Sequence, residues 1–538
     1  MSNKQKSFVA GAAILGGMGL IVKVIGAIFR IPLTNIIGTD GIGIYGVAYP
    51  VYTTLLVIST AGLPAAISRM VSERVSVGDY KGAHKVFTIA FSVLLALGIA
   101  STTIMLLVAD KYAASVSVPD AALSLKMIAP ALLFVSVMSA YRGYFQGLQM
   151  MSPTAFSQLV EQVVKLGAGL YLASQFLTRG VEYGAAGALL GVSIAEAFAL
   201  LFMIIVYQKN RKDIKERCHL STGRSYQSAR SIPADLVYIA LPITLGGCVM
   251  PLIGLLDSII IPTSLISIGY TQSAATSTFG VLTGPVNTLV NMPAVLSLAL
   301  CMSLVPAISE ARVQRNVALV GSRSAMGFKL AVLIGFPCAA GMFLLAEPIM
   351  RLLYSGLGAD ELRLAAELLK ISAISILFLT MLQTMTGILQ GSGHQFIPLI
   401  NLAIGAAIKV ILSLKLIRIP ELNIKGAAIG TAVCYGIAAI LNIIAMIRYA
   451  KPKVRPLSSL IMPILSTAVM GVAVYLLYAL LSKFVGNTIS TLLAIAGAVV
   501  VYAVMLLITG ALAREDMQYI PGGSKLIRLM NKLGLWRQ

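Results

Sequence analysis

The sequence predicts an all-α integral membrane protein: about 14 transmembrane helices, forming two parallel six-helix lobes plus two extra C-terminal helices. Three observations carry this: a composition too apolar for water, a succession of spanning-length apolar windows, and an internal repeat. Of 538 residues, 58% are hydrophobic and 11% charged, and the mean hydropathy is +0.90. Soluble domains carry roughly 25% charged residues. A chain this poor in charge cannot cover its own surface in water, so lipid is its main solvent.

Apolar windows between charged or Pro/Gly punctuation fall near residues 8–30, 43–68, 86–109, 121–142, 155–175 and 184–207. Eight more fall near 235–262, 276–306, 326–346, 364–388, 396–417, 424–447, 458–482 and 488–512. Each reaches the roughly 20 residues that a helical crossing needs. The first follows Lys4 and Lys6 and is longer than the h-region of a signal peptide, so it reads as a retained helix. The domains expected are an N-terminal lobe (1–207), a basic cytoplasmic linker (208–234) and a C-terminal lobe (235–450). Two additional helices (451–512) and a basic amphipathic cytoplasmic tail (513–538) complete the chain.

The net charge of +21 suggests nucleic acid in a soluble protein, but such binding needs a clustered basic face. Here the cations sort by side of the membrane. With the N-terminus inside, 27 of the 41 Lys and Arg fall at or beside cytoplasmic ends, 10 at outer ends, and four deep within spans. That bias follows the positive-inside rule and predicts both termini to be cytoplasmic. The linker cations, from Lys209 to Arg230, and the tail from Lys525 to Trp536 suit anionic headgroups. The five cysteines and three histidines are scattered without ligand spacing, so neither a disulfide framework nor a metal site is expected.

Three segments recur in order at nearly one offset. Gly143-Tyr-Phe-Gln-Gly147 returns as Gly387-Ile-Leu-Gln-Gly391, shifted by 244; Tyr183-Gly-Ala-Ala-Gly-Ala188 returns as Lys425-Gly-Ala-Ala-Ile-Gly430, shifted by 242. Ala66-Ile-Ser68 returns as Ala307-Ile-Ser309, shifted by 241. Each copy holds an even number of spans, so both enter the membrane from the same side. Parallel repeats of this kind handle substrate between the halves.

Charges inside the bilayer are costly, about 2.5–3.5 kcal/mol on insertion scales, and mark function by default. Lys23 and Arg30 lie seven apart on one face of the first helix. Arg30 is near enough to the outer end to snorkel; Lys23 is deeper. Glu161 and Lys165 form an i, i+4 pair near the midplane of span five. Lys165 aligns with Lys409 at the 244 offset, which predicts a cationic strip along a central cavity, with Glu161 available to pair with Lys165. The buried acids Glu196 and Asp257 either pair with these cations or carry a coupling ion. A cationic, low-dielectric cavity attracts anions, and phosphates foremost. The chain has no GxxxxGK[ST] loop, so a P-loop ATPase site is excluded, no cofactor is expected, and membrane potential, an ion gradient or consumption of substrate on the far side is left as the driving force.

The run Tyr141-Arg-Gly-Tyr-Phe-Gln-Gly-Leu-Gln149 followed by Pro153, with fourteen spans in two lobes, resembles the MOP exporter superfamily. Within it the chain is similar to the MurJ/SpoVB-type lipid flippases of Gram-positive bacteria. That resemblance implies flipping of undecaprenyl-pyrophosphate-linked precursors, with peptidoglycan lipid II as leading candidate and cell-wall synthesis enzymes as functional neighbours of a monomeric transporter. It implies that the span-one cavity cations correspond to Lys23 and Arg30. The arginines that Gram-negative members carry in spans two and eight are replaced here by Pro50-Val-Tyr-Thr-Thr54 and Asn287-Thr-Leu-Val-Asn-Met-Pro293, which shifts the expected cation load to Lys165, Lys409 and Arg142. The alternatives are a flippase for another polysaccharide or spore-envelope oligosaccharide, and a cation-coupled multidrug antiporter, which needs acids where the first helix has Lys and Arg. A membrane glycosyltransferase is disfavoured, because the acidic Glu347–Lys370 stretch is short and lacks an acid/base pair.

Overall fold

The computed structural model describes residues 3–221 and 231–511, with side chains from Gly17 onward apart from Leu20. The proposed tail (513–538), Arg224 and Arg230 lie outside the described residues. Among the described residues there are helices and turns and no strand. This is the outcome lipid imposes, since a helix satisfies every backbone N–H and C=O within one segment. Twelve helical runs among the described residues are long and apolar enough to cross a bilayer.

The first helix, α1 (Asn3–Thr60), is 58 residues long and broken at Gly38, whose φ of 67° suits only a residue without Cβ. The chain reverses there. Arg30 reaches the ring of Tyr45 at 5.1 Å, whereas fifteen residues of straight helix would separate the two by about 22 Å. One bent run therefore holds both of the first two predicted spans. A turn at Ala61–Gly62 leads to α2 (Leu63–Ser76), with proline at its start.

There follow α3 (Tyr80–Ser115), α4 (Ala121–Gly147) and α5 (Ser152–Leu177). Asp79 caps α3 by accepting from the Gly82 N–H. Among these, α5 is absent from the twelve apolar runs, and Glu161, Gln162 and Lys165 in its middle are the reason. The reversal at Gly38 and this polar helix account for the difference between twelve runs and fourteen predicted spans.

Next come α6 (Val181–His219) and α7 (Ile232–Ser267). The segment from Gln208 to His219, expected as linker, continues α6 as regular helix, supported by an Asp213–Arg217 i, i+4 ion pair. Then α8 (Gln272–Val281) passes through one wide helical turn at Leu282–Val286, containing Pro285, into α9 (Asn287–Val313). The chain continues through α10 (Val317–Leu344), the short amphipathic α11 (Ala346–Leu353), α12 (Ala359–Gly391) and α13 (Phe396–Leu416). The last helices among the described residues are α14 (Ile424–Ala450), α15 (Met462–Leu481) and α16 (Asn487–Ile508).

By packing, the chain divides into two compact units. The first is Met1–Pro285 with Leu414–Ile424, and the second is Val286–Ser413 with Lys425–Gln538. In the first, Gly143 and Gly147 of α4 admit α2 so closely that a Cβ would lie 2.8 Å from Ile67 Cβ and 2.6 Å from Val71 Cβ. In the second, Gly387 and Gly391 of α12 admit α9, with Cys301 Sγ at 2.7 Å and Ile308 Cβ at 3.0 Å from the corresponding positions. The repeated Gly-x-x-x-Gly is thus a small-residue helix contact of the kind lipid favours, where close backbone approach replaces a hydrophobic driving force.

Candidate functional site in the first unit

The reversal at Gly38 folds the second half of α1 back along the first, and α5 packs beside both. Three tyrosines of α1, Tyr45, Tyr49 and Tyr52, stand at i, i+4 and i+7 and form one aromatic row, with centroids 5.2 Å and 5.8 Å apart. Tyr45 and Tyr52 are buried, while Tyr49 is half-buried.

Two cations sit over this row. The Arg30 guanidinium is 5.1 Å from the Tyr45 centroid and 5.9 Å from that of Tyr49. It also donates from Nη1 to the Thr283 carbonyl at 3.0 Å, within the wide turn that Pro285 loosens by lacking an N–H. Lys165, halfway along α5, places Nζ 5.2 Å from the Phe29 ring and 5.5 Å from Tyr49. Tyr49 therefore lies under both cations. Its electron-rich face attracts each by about 0.5–2 kcal/mol and offsets part of their mutual repulsion.

Glu161 does not pair with Lys165, as helical spacing led one to expect. It accepts from Arg142 Nη2 of α4 at 3.1 Å and from Gln162 Nε2 at 3.0 Å. Arg142 is further fixed by donating from Nε to Ser157 Oγ at 2.9 Å. The pair is 14% and 19% exposed, enough burial to make it a committed ion pair. The physical reason is reach: a guanidinium from a neighbouring helix meets the carboxylate squarely, while a lysine one turn away must bend along the helix surface to do so. Lys165 is left to the aromatic rings.

Glu196 of α6 is 6% exposed, and among the described residues its Oε2 has no hydrogen-bond partner. It lies within electrostatic reach of Glu161, Arg142 and Lys165. The structure thus gathers Arg30, Arg142, Lys165, Glu161 and Glu196 of the predicted set into one cluster in the first unit. Lys23 is exposed on α1 and makes none of these contacts. Asp257 is half-buried on α7 beside Ser258, whose hydroxyl meets Tyr112 at 2.8 Å. Lys409 belongs to the second unit, where it is 4% exposed and its stem lies against Gly430 of α14.

Tyr45, Tyr49, Tyr52 and Thr283 escaped the sequence reading. The i, i+4, i+7 spacing of the tyrosines was visible, but a tyrosine row in an apolar window reads as lipid-facing or core surface until the cations above it are seen. Among the described residues no cluster of His, Cys, Asp and Glu is arranged to hold a metal.

The chain is similar to known proteins along nearly its whole length. Residues 8–312 match the family described as polysaccharide biosynthesis protein, and residues 242–414 match MatE. The chain is 28% identical to stage V sporulation protein B of Bacillus subtilis (strain 168), covering 97% of this chain and 99% of that protein. It is 30% identical to lipid II flippase MurJ of the same strain, covering 86% and 87%. Among solved structures, lipid II flippase MurJ in an inward closed conformation superposes with a TM-score of 0.71 at 14% identity, over 92% of this chain and 98% of that one.

Proposed function

The chain belongs to the polysaccharide biosynthesis protein family within the MOP exporter superfamily, and from that premise we propose that it flips an undecaprenyl-pyrophosphate-linked cell-wall precursor. The cargo passes from inner to outer leaflet of a bacterial plasma membrane by alternating access, with peptidoglycan lipid II as first candidate. The observation that carries the reading is the pair Arg30 and Lys165. Both stand over Tyr49, and among the described residues neither has a carboxylate in ion-pair contact; the acid nearest Lys165 in sequence, Glu161, is taken by Arg142. Two such cations in a part-buried site attract a di-anion, and a pyrophosphate headgroup supplies one.

Arg142 and Glu161 brace the site, Lys409 supplies the repeat-related cation in the second unit, and Lys23 meets the headgroup on its way in. An inside-negative potential drives an anion outward by about 2.3 kcal/mol per charge per 100 mV, so no cofactor is required. The chain is then a transporter rather than an enzyme, working as a monomer alongside cell-wall synthesis enzymes, with both termini cytoplasmic.

The deciding experiment is complementation of a strain depleted of its own lipid II flippase, paired with flipping of labelled lipid II in vesicles. Growth rescue by the native chain and failure by Arg30→Ala/Lys165→Ala is the expected result; rescue by both proteins refutes the assigned site. A second reading has its own support. Near end-to-end similarity to stage V sporulation protein B favours a spore-envelope lipid-linked oligosaccharide, which shares the pyrophosphate but not the glycan. Flipping of pyrophosphate-linked lipids without rescue of growth would select it. A cation-coupled drug antiporter is disfavoured by the same two cations, which repel a cationic drug.

A further inference from the structure

The cluster contains one group that the flipping mechanism does not use. Glu196 is 6% exposed and among the described residues leaves Oε2 with no partner, while a guanidinium within electrostatic reach of it bonds elsewhere: Arg142 donates to Glu161 and Ser157. Burying an ionised carboxylate without a partner costs several kcal/mol, so such groups pair or neutralise. Two carboxylates therefore compete for one guanidinium. When Glu161 holds Arg142, Glu196 is relieved by taking a proton; when Arg142 turns to Glu196, that proton leaves.

From this geometry we propose that Glu196 is a proton-exchange site of the transport cycle, switched by transfer of Arg142 between Glu161 and Glu196. The proton binds and leaves a carboxylate oxygen, and its other station is water, so no covalent bond or electron pair changes hands. The groups facing Glu196 are consistent with one exchangeable proton. They are Tyr52 from α1, Arg142 from α4, and Glu161 and Lys165 from α5. The remaining neighbour, α3, has no titratable side chain between Lys85 and Asp110.

A consequence follows for cargo, and it alone rests on the anionic-headgroup reading. Protonating Glu196 removes one negative charge from the cluster that holds Arg30 and Lys165, so proton and anion binding reinforce each other. By linkage the reinforcement is reciprocal. A transporter with this coupling responds to pH at clamped membrane potential.

The test has one arm without cargo and one with a probe. Infrared spectra of the purified full chain should show a protonated carboxyl C=O stretch near neutral pH that Glu196→Gln removes and Glu196→Asp shifts but keeps. In Glu161→Gln, the freed Arg142 pairs with Glu196 and the band should vanish at the same pH. In the second arm, farnesyl pyrophosphate is titrated onto native and Glu196→Gln protein between about pH 6 and pH 8. Relative to Glu196→Gln, which cancels the probe's own titration, native affinity should fall on the order of tenfold as one unit charge enters the site. A band unchanged by Glu196→Gln, or parallel affinity profiles, overturns the proton site. If the probe binds neither protein, the pyrophosphate reading fails instead, and the infrared arm alone decides the proton site.

Discussion

The two halves of the duplication carry different chemistry at matching positions. At the 244 offset, Arg142, Ser157, Glu161 and Lys165 of the first copy correspond to Thr386, Asn401, Gly405 and Lys409 of the second. In the first, Arg142 bonds Ser157 and Glu161. In the second, Asn401 donates to Asn442 at 2.8 Å, and Asn442 donates to Thr386 at 3.4 Å. The first network joins α4 directly to α5, whereas the second links α13 to α12 through Asn442 of α14. One does so with charge and the other with neutral amides and hydroxyls. A neutral network satisfies its partners in a single arrangement, whereas a charged one with a spare carboxylate, Glu196, has two. The first copy is the half equipped to switch, and the second the half equipped to hold.

The largest expected effect separates the two matching lysines. Lys165 is half-buried over aromatic rings and, among the described residues, holds no carboxylate in an ion pair. Lys165→Ala should therefore lower flipping on the order of 100-fold, as loss of about 2.7 kcal/mol of cargo stabilisation implies, with thermal unfolding in detergent little changed. Lys409→Ala should lower flipping and stability together, because that lysine is 4% exposed within its unit. Equal destabilisation by the two substitutions would erase the distinction between the halves.

Much of this is legible in the sequence. The spans, the repeat and the intramembrane charges follow from hydropathy and from the cost of burying charge, which leave strong marks on a sequence. Pairings between helices leave none. Glu161 has a lysine one turn away, and only the approach of α4 shows that Arg142 takes it. Lys23 and Arg30 share a face by spacing, yet one is exposed and the other is drawn over Tyr45 by the reversal at Gly38. The break between the first two predicted spans is legible in hydropathy; that it falls on one residue, Gly38, inside otherwise continuous helix is not. The helical continuation of α6 to His219 was likewise hidden under polarity that reads as loop.

Stability also separates the two networks. Removing one partner of a buried ion pair costs about 3–5 kcal/mol, most of it the stranded charge. Polar side-chain contacts between membrane helices average only about 0.6 kcal/mol, with a ceiling near 1.7. Arg142→Met should thus destabilise the first unit several times more than Asn401→Leu destabilises the second, read as unfolding in graded denaturant. Arg142→Met/Glu161→Leu should recover most of the loss, because no charge is then stranded between them. If the single and double variants unfold alike, the pair is solvated and the first copy gains nothing from its charge.

The smallest effect lies in the shared glycines, where the copies differ by register. Gly143 meets Ile67 and the Pro64 carbonyl; in the second copy it is Gly391, not Gly387, that meets Ile308 and the Val305 carbonyl, the counterparts of those groups. The second helix pair has slid by four residues, about 6 Å along the axis. What each glycine faces then sets the cost of a methyl group. At Gly147 a Cβ would strike Val71 Cβ at 2.6 Å and the Ser68 carbonyl at 2.9 Å, neither free to rotate away. At Gly387 the nearest atom, at 2.7 Å, is the Cys301 thiol, with the Cα behind it at 3.0 Å. Overpacking costs about 1–3 kcal/mol, so Gly147→Ala should fall in the upper part of that range and Gly387→Ala at its foot. Adding Cys301→Ala should restore part of the stability lost in Gly387→Ala, since it removes the sulfur and leaves only the tighter backbone approach. If it restores nothing, the one-turn slip is not what distinguishes the two helix contacts.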